Sequence, residues 1–219
     1  MKQSIFLFIL SLFLLIGCSN NNTEKEAAAN NKQEEKTETA NNTPEYYKNY
    51  VPNPQVINDQ NIQNTGQTFH DEKGEATLKT ITAKKQTKKI GAIELTIREA
   101  KILDFRPAHS LIDFYHTYTH DEEFTFVKLF VEIKNTSNET IKFAPVATLN
   151  TNANELKTWE DDIYLEELNG EIEANSLKSG NLGFIIEKAN INSIEITTSD
   201  VFNKDDQKLD SAEKINISF

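Results

Sequence analysis

The chain has 219 residues and a formal net charge of −11, and its only cysteine is Cys18. Nucleic-acid phosphates and anionic lipid headgroups repel an acidic protein. The charge therefore argues against nucleic-acid binding and against membrane attachment by charge alone. One cysteine cannot form a disulfide within the chain, so the folded part must be stabilised by packing. A chain of this length supports about one sizeable domain.

The first residues have the pattern of a secretory signal. Lys2 is followed by an apolar stretch over residues 5–16 that only Ser11 interrupts. This stretch is shorter than the roughly 20 apolar residues that a transmembrane helix needs, and a polar sequence follows it. The run Leu15-Ile16-Gly17-Cys18 resembles the lipobox of bacterial lipoproteins. The resemblance implies that residues 1–17 are a lipoprotein signal peptide and that the sulfur of Cys18 carries a diacylglyceryl group.

Residues 18–43 are predicted to be a disordered tether that begins with the lipidated cysteine. Positions 19–43 contain seven Asn, five Glu and three Lys, and no apolar side chain larger than Ala. Such a segment cannot bury enough apolar surface to offset the entropy of ordering it. A flexible chain of this length spans roughly 25–30 Å. Because two acyl chains anchor a protein stably, we expect a domain displayed on the extracytoplasmic face of the cell membrane.

Residues 44–89 are predicted to be an extended segment that docks on the domain and covers its edge. Pro52 and Pro54 exclude a central strand or a helix around them. Residues 69–74 indicate a turn in which Gly74 takes a positive φ, and residues 76–81 indicate a first strand. The apolar side chains that favour docking are Tyr46, Tyr47, Tyr50, Val51, Val56 and Ile57.

From residue 90 onward the sequence predicts strands. Residues 93–97 alternate between apolar and polar side chains, which is the period of a half-buried strand. The clearest strand covers residues 124–134, and its apolar side chains lie on both faces. A dense turn signal at residues 135–139 is followed by renewed alternation, which predicts a hairpin over residues 124–147.

The remaining elements are short. Strands are predicted around residues 182–186, 194–196 and 215–219, and one short helix is predicted over residues 160–168. About seven strands separated by turns favour a β-sandwich.

Two parts of this region resemble a known family. Residues 126–139, which contain Lys134-Asn135-Thr136-Ser137, and residues 179–184 are similar to immunoglobulin-like (telokin-like) domains of unknown function in lipoproteins of Gram-positive bacteria. Those domains usually have a Pro-Gly pair where this chain has Ser179-Gly180. The resemblance covers residues 90–219 and implies an all-β, immunoglobulin-like antiparallel β-sandwich. It implies no particular activity, because a fold does not determine a function.

One cluster of side chains suggests a metal site. His116 and His120 are four residues apart, so a helix or a strand would place both on one face, and His109 and Asp121 lie nearby. Imidazole together with carboxylate suits zinc or another transition ion. The alternative is a solvated loop with polar side chains, because no third ligand has a fixed spacing.

Two acidic runs could supply oxygen ligands to calcium. They are Glu160-Asp161-Asp162 and Asp205-Asp206, and neither has the Asp-x-Asp-x-Asp-Gly loop pattern. The second run is explained more simply as a hairpin turn.

No motif of catalysis or cofactor binding is found: the Gly-x-Ser-x-Gly elbow, the phosphate loop and the dinucleotide fingerprint are all missing. No cofactor is therefore expected. Aromatic side chains anchor many interfaces, and Tyr115, Tyr118, Trp159 and Tyr164 are candidates for a recognition surface. The sequence favours a lipoprotein, anchored through Cys18, that acts without catalysis by binding an envelope protein or a cell-wall component. The alternatives are a divalent-metal-binding lipoprotein and an envelope enzyme whose site is assembled across the fold.

Overall fold

A computed structural model of the chain describes residues 43–219. The predicted signal peptide, Cys18 and the tether as far as residue 42 lie outside the described residues. The described part is all-β, and every strand pair is antiparallel. The predicted fold class is confirmed at this level. Within the described range, no helix has the length and the apolar content that crossing a membrane requires.

The chain forms fourteen strands and very little helix. The helical elements are α1 (Ile112–Tyr115) and three short 3-10 turns at Glu45–Tyr47, His109–Leu111 and Trp159–Asp161. The strands are β1 (Thr68–Asp71), β2 (Gly74–Thr82), β3 (Gln86–Ile90), β4 (Ile93–Pro107), β5 (Phe124–Asn135), β6 (Ile141–Phe143), β7 (Thr148–Thr151), β8 (Leu156–Thr158), β9 (Gly170–Ile172), β10 (Leu177–Ile186), β11 (Ser193–Thr197), β12 (Val201–Asn203), β13 (Lys208–Asp210) and β14 (Lys214–Ser218).

The strands form one large sheet and two small ones. The large sheet has the order β1-β2-β4-β5-β10, with β3 also paired to β4. The small sheets have the orders β14-β11-β7-β8 and β13-β12-β6-β9. One face of the large sheet, which includes Leu95 and Leu129, shares a buried core with Ile141 and Ile196 of the small sheets. The result is a two-layer, sandwich-like arrangement.

The opposite face of the large sheet is covered by the strap, which we define as residues 43–67. The strap contains the 3-10 turn Glu45–Tyr47 and no strand. Three of its buried apolar side chains share a second core with Leu103 and Phe126 of the sheet, and they are Val56, Ile57 and Ile62. Because the central strands are covered on both faces, their apolar residues occur on both sides.

The strongest alternating patterns are confirmed. β2 contains the strand predicted at residues 76–81, and β5 contains the one at residues 124–134. At the predicted turn, Gly74 has φ +140°, and a Cβ there would lie 2.2 Å from the carbonyl oxygen of Arg106. Only glycine fits such a position. β1, β2 and β3 pair within the large sheet, so the sheet begins at Thr68 rather than at residue 90.

The hairpin predicted over residues 124–147 is wrong. β5 pairs with β4 and β10, whereas β6 pairs with β9 and β12 in another sheet. Asn135 directs the chain from one sheet to the other. Its Nδ2 donates hydrogen bonds to the carbonyl oxygens of Glu139, Ile172 and Glu173, at 2.7, 3.1 and 3.1 Å.

The helix predicted over residues 160–168 is also wrong, because only the 3-10 turn Trp159–Asp161 forms. We call residues 162–168 the edge loop, since they cross the edge of β10. Tyr164 packs in the core beneath the strap, whereas Leu168 packs in the core between the sheets. Asp162 holds the start of the loop, since its Oδ1 accepts hydrogen bonds from the N–H groups of Gly183 and Tyr164.

Candidate functional site

Four charged side chains are buried between the strap and the large sheet. The exposed fraction is 2% for Asp59 of the strap. In the sheet it is 1% for Glu99 and 0% for both Lys101 and Lys128. The Nζ of Lys101 lies 2.7 Å from Oδ2 of Asp59 and 3.0 Å from Oε1 of Glu99. The Nζ of Lys128 lies 2.6 Å from the same Glu99 oxygen and 3.1 Å from the same Asp59 oxygen. Two carboxylates and two ammonium groups thus form a balanced charge network.

The register of β4 and β5 brings these groups together. Lys101 and Lys128 are directly opposite each other in the β4–β5 ladder, and a bulge between Ile97 and Glu99 interrupts that ladder. Bulges re-aim side chains, and Glu99 lies next to the two lysines on the face that the strap covers. Like charges directly opposite each other destabilise a sheet. The two carboxylates offset that repulsion.

Tyrosines of the strap complete the network. The hydroxyl of Tyr46 donates a hydrogen bond to Oε2 of Glu99 at 2.5 Å, and the hydroxyl of Tyr47 donates to Oε1. Burial opposes ionisation of Glu99, but Lys128 and Lys101 outweigh it, so the pKa of Glu99 lies well below its ordinary value. Burial likewise disfavours the charged form of Lys128, yet Asp59 and Glu99 raise the pKa of that amine. Both groups therefore stay charged near neutral pH.

This network connects the strap to the large sheet. Its four charged side chains are almost completely inaccessible to solvent. Its hydrogen bonds and ion pairs join Tyr46, Tyr47 and Asp59 to the sheet. The consequence is a strap held in a fixed position on the sheet.

Next to the network, the strap and the edge loop form the two walls of an open groove. Residues 49–54 line one wall, residues 165–167 line the other, and Ser179 of β10 lies at the base. The volume of the groove is about 480 Å³. This is within the size range of ligand-binding clefts.

Glu166 connects the two walls of the groove. Its Oε1 accepts hydrogen bonds from the hydroxyl of Tyr50 at 2.5 Å and from Nδ2 of Asn53 at 3.2 Å. Its Oε2 accepts the backbone N–H of Asn181 in β10 at 2.8 Å. Burial raises the pKa of Glu166, and these hydrogen bonds oppose that rise. A single carboxylate therefore fixes the strap, the edge loop and the edge strand relative to one another.

The groove presents two apolar side chains to solvent. Val51 is 80% exposed and Leu165 is 55% exposed. Leu165 has φ +55°, and its neighbours on the groove, Glu167 and Asn49, have φ +50° and +70°. A bulky residue in the left-handed region costs on the order of 1–3 kcal/mol and persists only where its surroundings fix it. Such strain concentrates at functional positions, and here it occurs at an exposed apolar side chain of the groove.

Asp162, at the start of the edge loop, provides a test by pH. Burial raises the pKa of its carboxyl from 3.8 to about 6, although the hydrogen bonds from Gly183 and Tyr164 lower this pKa in part. The folded state therefore binds the proton more tightly than the unfolded chain. The resulting stabilisation is fully present below about pH 4 and is lost as the pH rises through about 6.

We expect Asp162→Asn to remove this pH dependence, because the amide oxygen can accept the same two hydrogen bonds without a charge. Between about pH 4 and about pH 8, the wild type should lose about 2–3 kcal/mol of unfolding free energy relative to the variant. Urea denaturation across this range measures the difference. Parallel stability curves for the two proteins would show that Asp162 does not titrate in this way.

The predicted metal residues His116, His120 and Asp121 follow α1 in the chain and do not line the groove. The rings of His116 and His120 are 5.6 Å apart, so the structure does bring the two imidazoles together. Asp121 lines a separate cleft with Lys79 and Asp104. Among residues 43–219, no group of three or more His, Cys, Asp or Glu side chains is placed to hold a metal ion. The metal site remains a prediction.

The four aromatic residues proposed as a recognition surface do not form one. Tyr115 and Tyr164 are 1% and 2% exposed and belong to the core beneath the strap. The hydroxyl of Tyr115 donates to the carbonyl oxygen of Gln55 in the strap at 2.8 Å, which explains its burial. Trp159 is 53% exposed, and Tyr118 is partly buried against the same core.

The two acidic runs have internal partners. Asp161 accepts the N–H of Thr158 at 2.6 Å, and Asp162 accepts N–H groups as described above. Asp206 pairs with Lys142 at 2.6 Å in the turn between β12 and β13. The simpler prediction of a hairpin turn for the second run is confirmed.

The sequence did not reveal the charge network or the groove. The one available signal was Lys128, which lies between Val127 and Leu129 in a strand whose two faces both carry apolar residues. A lysine in such a strand requires a buried acidic partner. Asp59 and Glu99 are far apart in sequence, so the partner could not be identified without the fold.

Known proteins offer little functional information. No family model matches the chain. The chain is 43% identical over 237 residues to a protein of Bacillus subtilis (strain 168) named "Uncharacterized protein YdhF", with 100% of both chains covered. A crystal structure described as "a functionally unknown protein from Listeria monocytogenes EGD-e" superposes with a TM-score of 0.49 at 16% identity, covering 67% of this chain and 87% of that chain.

Proposed function

The chain belongs to the family of the Bacillus subtilis protein YdhF, and we propose that it is a lipid-anchored binding module of the bacterial envelope. In this proposal, Cys18 carries the lipid and residues 19–42 form the spacer. The folded part contacts an envelope protein through the groove between the strap and the edge loop. The chain acts by binding and not by catalysis.

The observation that carries the proposal is the exposure of Val51 and Leu165 on opposite walls of one groove. Exposed apolar side chains grouped in a concave, preorganised site favour contact with a partner. Both walls are fixed by hydrogen bonds to Glu166, so little conformational entropy is lost when a partner binds. Leu165 keeps a strained backbone that solvent exposure alone does not explain.

The chemistry of the groove supports binding over catalysis. Glu166 is the carboxylate that joins both walls, and each of its oxygens already accepts an internal hydrogen bond. The amide of Asn53 donates to the carbonyl oxygen of Tyr164 at 2.7 Å as well as to Glu166. Groups engaged in this way shape a surface, whereas a general base must be free to take a proton from a substrate.

The anchor and the domain class are part of the same proposal. The lipobox-like run that ends at Cys18 supports lipidation, and the polar composition of residues 19–42 supports a spacer. The immunoglobulin-like assignment is supported by two antiparallel layers around one core and by the strand-and-turn run at residues 126–139. An envelope location on the extracytoplasmic face follows from the anchor.

A pair of matched variants tests the groove. The chain spanning residues 19–219 is immobilised and incubated with detergent-solubilised membranes of the native host. We expect Val51→Ser/Leu165→Ser to bind the captured partner at least about tenfold more weakly than the wild type, because interface energy concentrates in a few apolar anchors.

The control is Leu156→Ser/Leu209→Ser, which removes two apolar side chains that are 58% and 53% exposed and that do not line the groove. It should bind as the wild type does. Equal capture by all three proteins, or loss only in the control, would assign the contact to another surface.

A further inference from the structure

The groove depends on two segments that are held together by one carboxylate. Asn49 to Pro54 of the strap form one wall, and the edge loop forms the other. Tyr50 and Asn53 reach across to Glu166, and Asn53 also reaches the backbone of Tyr164. Moving the strap away from the sheet would remove one wall and two of the three hydrogen-bond donors that hold Glu166 in the other.

The strap is attached to the sheet differently from every strand around it. No residue of the strap belongs to the core between the sheets, whose first member in the chain is Ile90. The backbone-to-backbone hydrogen bonds of residues 43–65 connect positions within the strap, and the first such bonds to the sheet join Gly66 and Gln67 to Leu78. The rest of the strap is held by side chains, so its release leaves the sandwich core intact.

Asp59 is the charge that completes the strap's attachment. Without the strap, the sheet face carries Glu99 with Lys101 and Lys128, which is one negative and two positive charges. Asp59 restores the balance through contacts of 2.7 and 3.1 Å to the two lysines. Its backbone carbonyl oxygen also accepts a hydrogen bond from Lys101 at 2.8 Å.

We propose that the strap docks on the large sheet and leaves it as one unit, and that its release loosens residues 164–167 of the edge loop while Asp162 and Leu168 stay in place. The binding groove then exists only while Asp59 is seated between Lys101 and Lys128. The strap is also the segment through which the chain enters the folded part at residue 43. The predicted tether therefore connects directly to the element that forms or dismantles the groove. The inference rests on the proposed function for what the groove does.

Hydrogen exchange measured by mass spectrometry tests the coupling on the chain spanning residues 19–219. In Asp59→Asn, exchange should accelerate by about tenfold or more both in residues 44–62 and in residues 164–167, because two buried lysines are then left with the single carboxylate of Glu99. Exchange in β5 should match that of the wild type. Tyr46→Phe, which removes one hydrogen bond to Glu99, should accelerate both segments by a smaller common factor.

Asp206→Asn is the matched control, since it breaks a surface pair with Lys142 and should change neither segment. Faster hydrogen exchange in the strap alone would overturn the coupling between the strap and the edge loop. Acceleration throughout the protein would overturn local release, and no acceleration would overturn the role of Asp59. No partner enters this measurement, so a failure to capture a partner and a failure of the coupling are separate results.

Discussion

Replacing Glu99 with Gln is expected to lower the free energy of unfolding by about 3–5 kcal/mol, the usual cost of removing one partner from a buried ion pair. Glu99 is 1% exposed and contacts the amines of both Lys101 and Lys128. A neutral amide would leave Asp59 as the single negative charge beside two buried lysines. Urea denaturation followed by circular dichroism measures the loss.

Glu213→Gln provides the control for this prediction. Glu213 pairs with Lys88 at 2.9 Å, but its side chain is 43% exposed. An exposed pair contributes about 0–1 kcal/mol. If Glu99→Gln cost no more than Glu213→Gln, the buried network would not stabilise the protein in the way that its geometry indicates.

Phe130→Ala is expected to destabilise the protein by about 3–5 kcal/mol, the range for truncating a large buried aromatic side chain. Phe130 is fully buried on the face that the strap covers. Its ring centroid lies 5.6, 4.4 and 5.6 Å from those of Tyr46, Tyr47 and Tyr50. The substitution therefore removes the centre of the aromatic contact that positions the strap.

Two readouts separate this loss from a general effect. The unfolding free energy should fall, and trypsin should cleave after Lys48 of the strap faster than in the wild type. Val51→Ala, at a strap position that is 80% exposed, should change stability by no more than about 0.5 kcal/mol. A Phe130→Ala protein with wild-type stability and wild-type cleavage at Lys48 would contradict the assigned role of the strap.

The long strand β5 of the large sheet was predictable, whereas the membership of β1 and β3 in that sheet was not. β5 has twelve residues, and the pattern of such a long strand outweighs local ambiguity. Short segments gave less information. β6 has only three residues, and so short a strand gives no pattern from which its pairing partner can be predicted. The sequence therefore could not show that the chain enters another sheet after Asn135 and does not form a hairpin with β5.

The edge loop shows why local patterns fail. Its acidic and apolar residues suggest one or two helical turns, but Asp162 uses its carboxylate to cap the N–H groups of β10 and Tyr164. The contact with Gly183 joins residues that are 21 positions apart, so tertiary structure overrides local propensity. The left-handed backbone at Leu165, a residue that rarely adopts it, had no signal in the sequence.

Of the segment 44–89 that was predicted to dock over the edge of the domain, residues 44–67 do dock, but they cover a face of the large sheet, and residues from Thr68 onward form strands of that sheet. Docking was predictable from aromatic and aliphatic side chains, whereas the charged contacts that accompany it were not. Lys128 alternates with apolar neighbours, which indicates a partly covered face but identifies no partner for the amine. The partner charges come from Asp59 and Glu99, which lie 69 and 29 positions earlier in the chain. Pairing across such separations depends on the register of β4 and β5 and on the bulge at Glu99.

Photo-crosslinking from the groove in native membranes tests the central claim most directly. The photoreactive residue p-benzoylphenylalanine replaces Val51 in one protein and Leu209, which lies outside the groove, in another. We expect a discrete crosslinked envelope protein from position 51 and none from position 209. Crosslinking from position 209 alone, or no crosslink from position 51 in protein recovered with the membranes, would contradict a binding role for the groove.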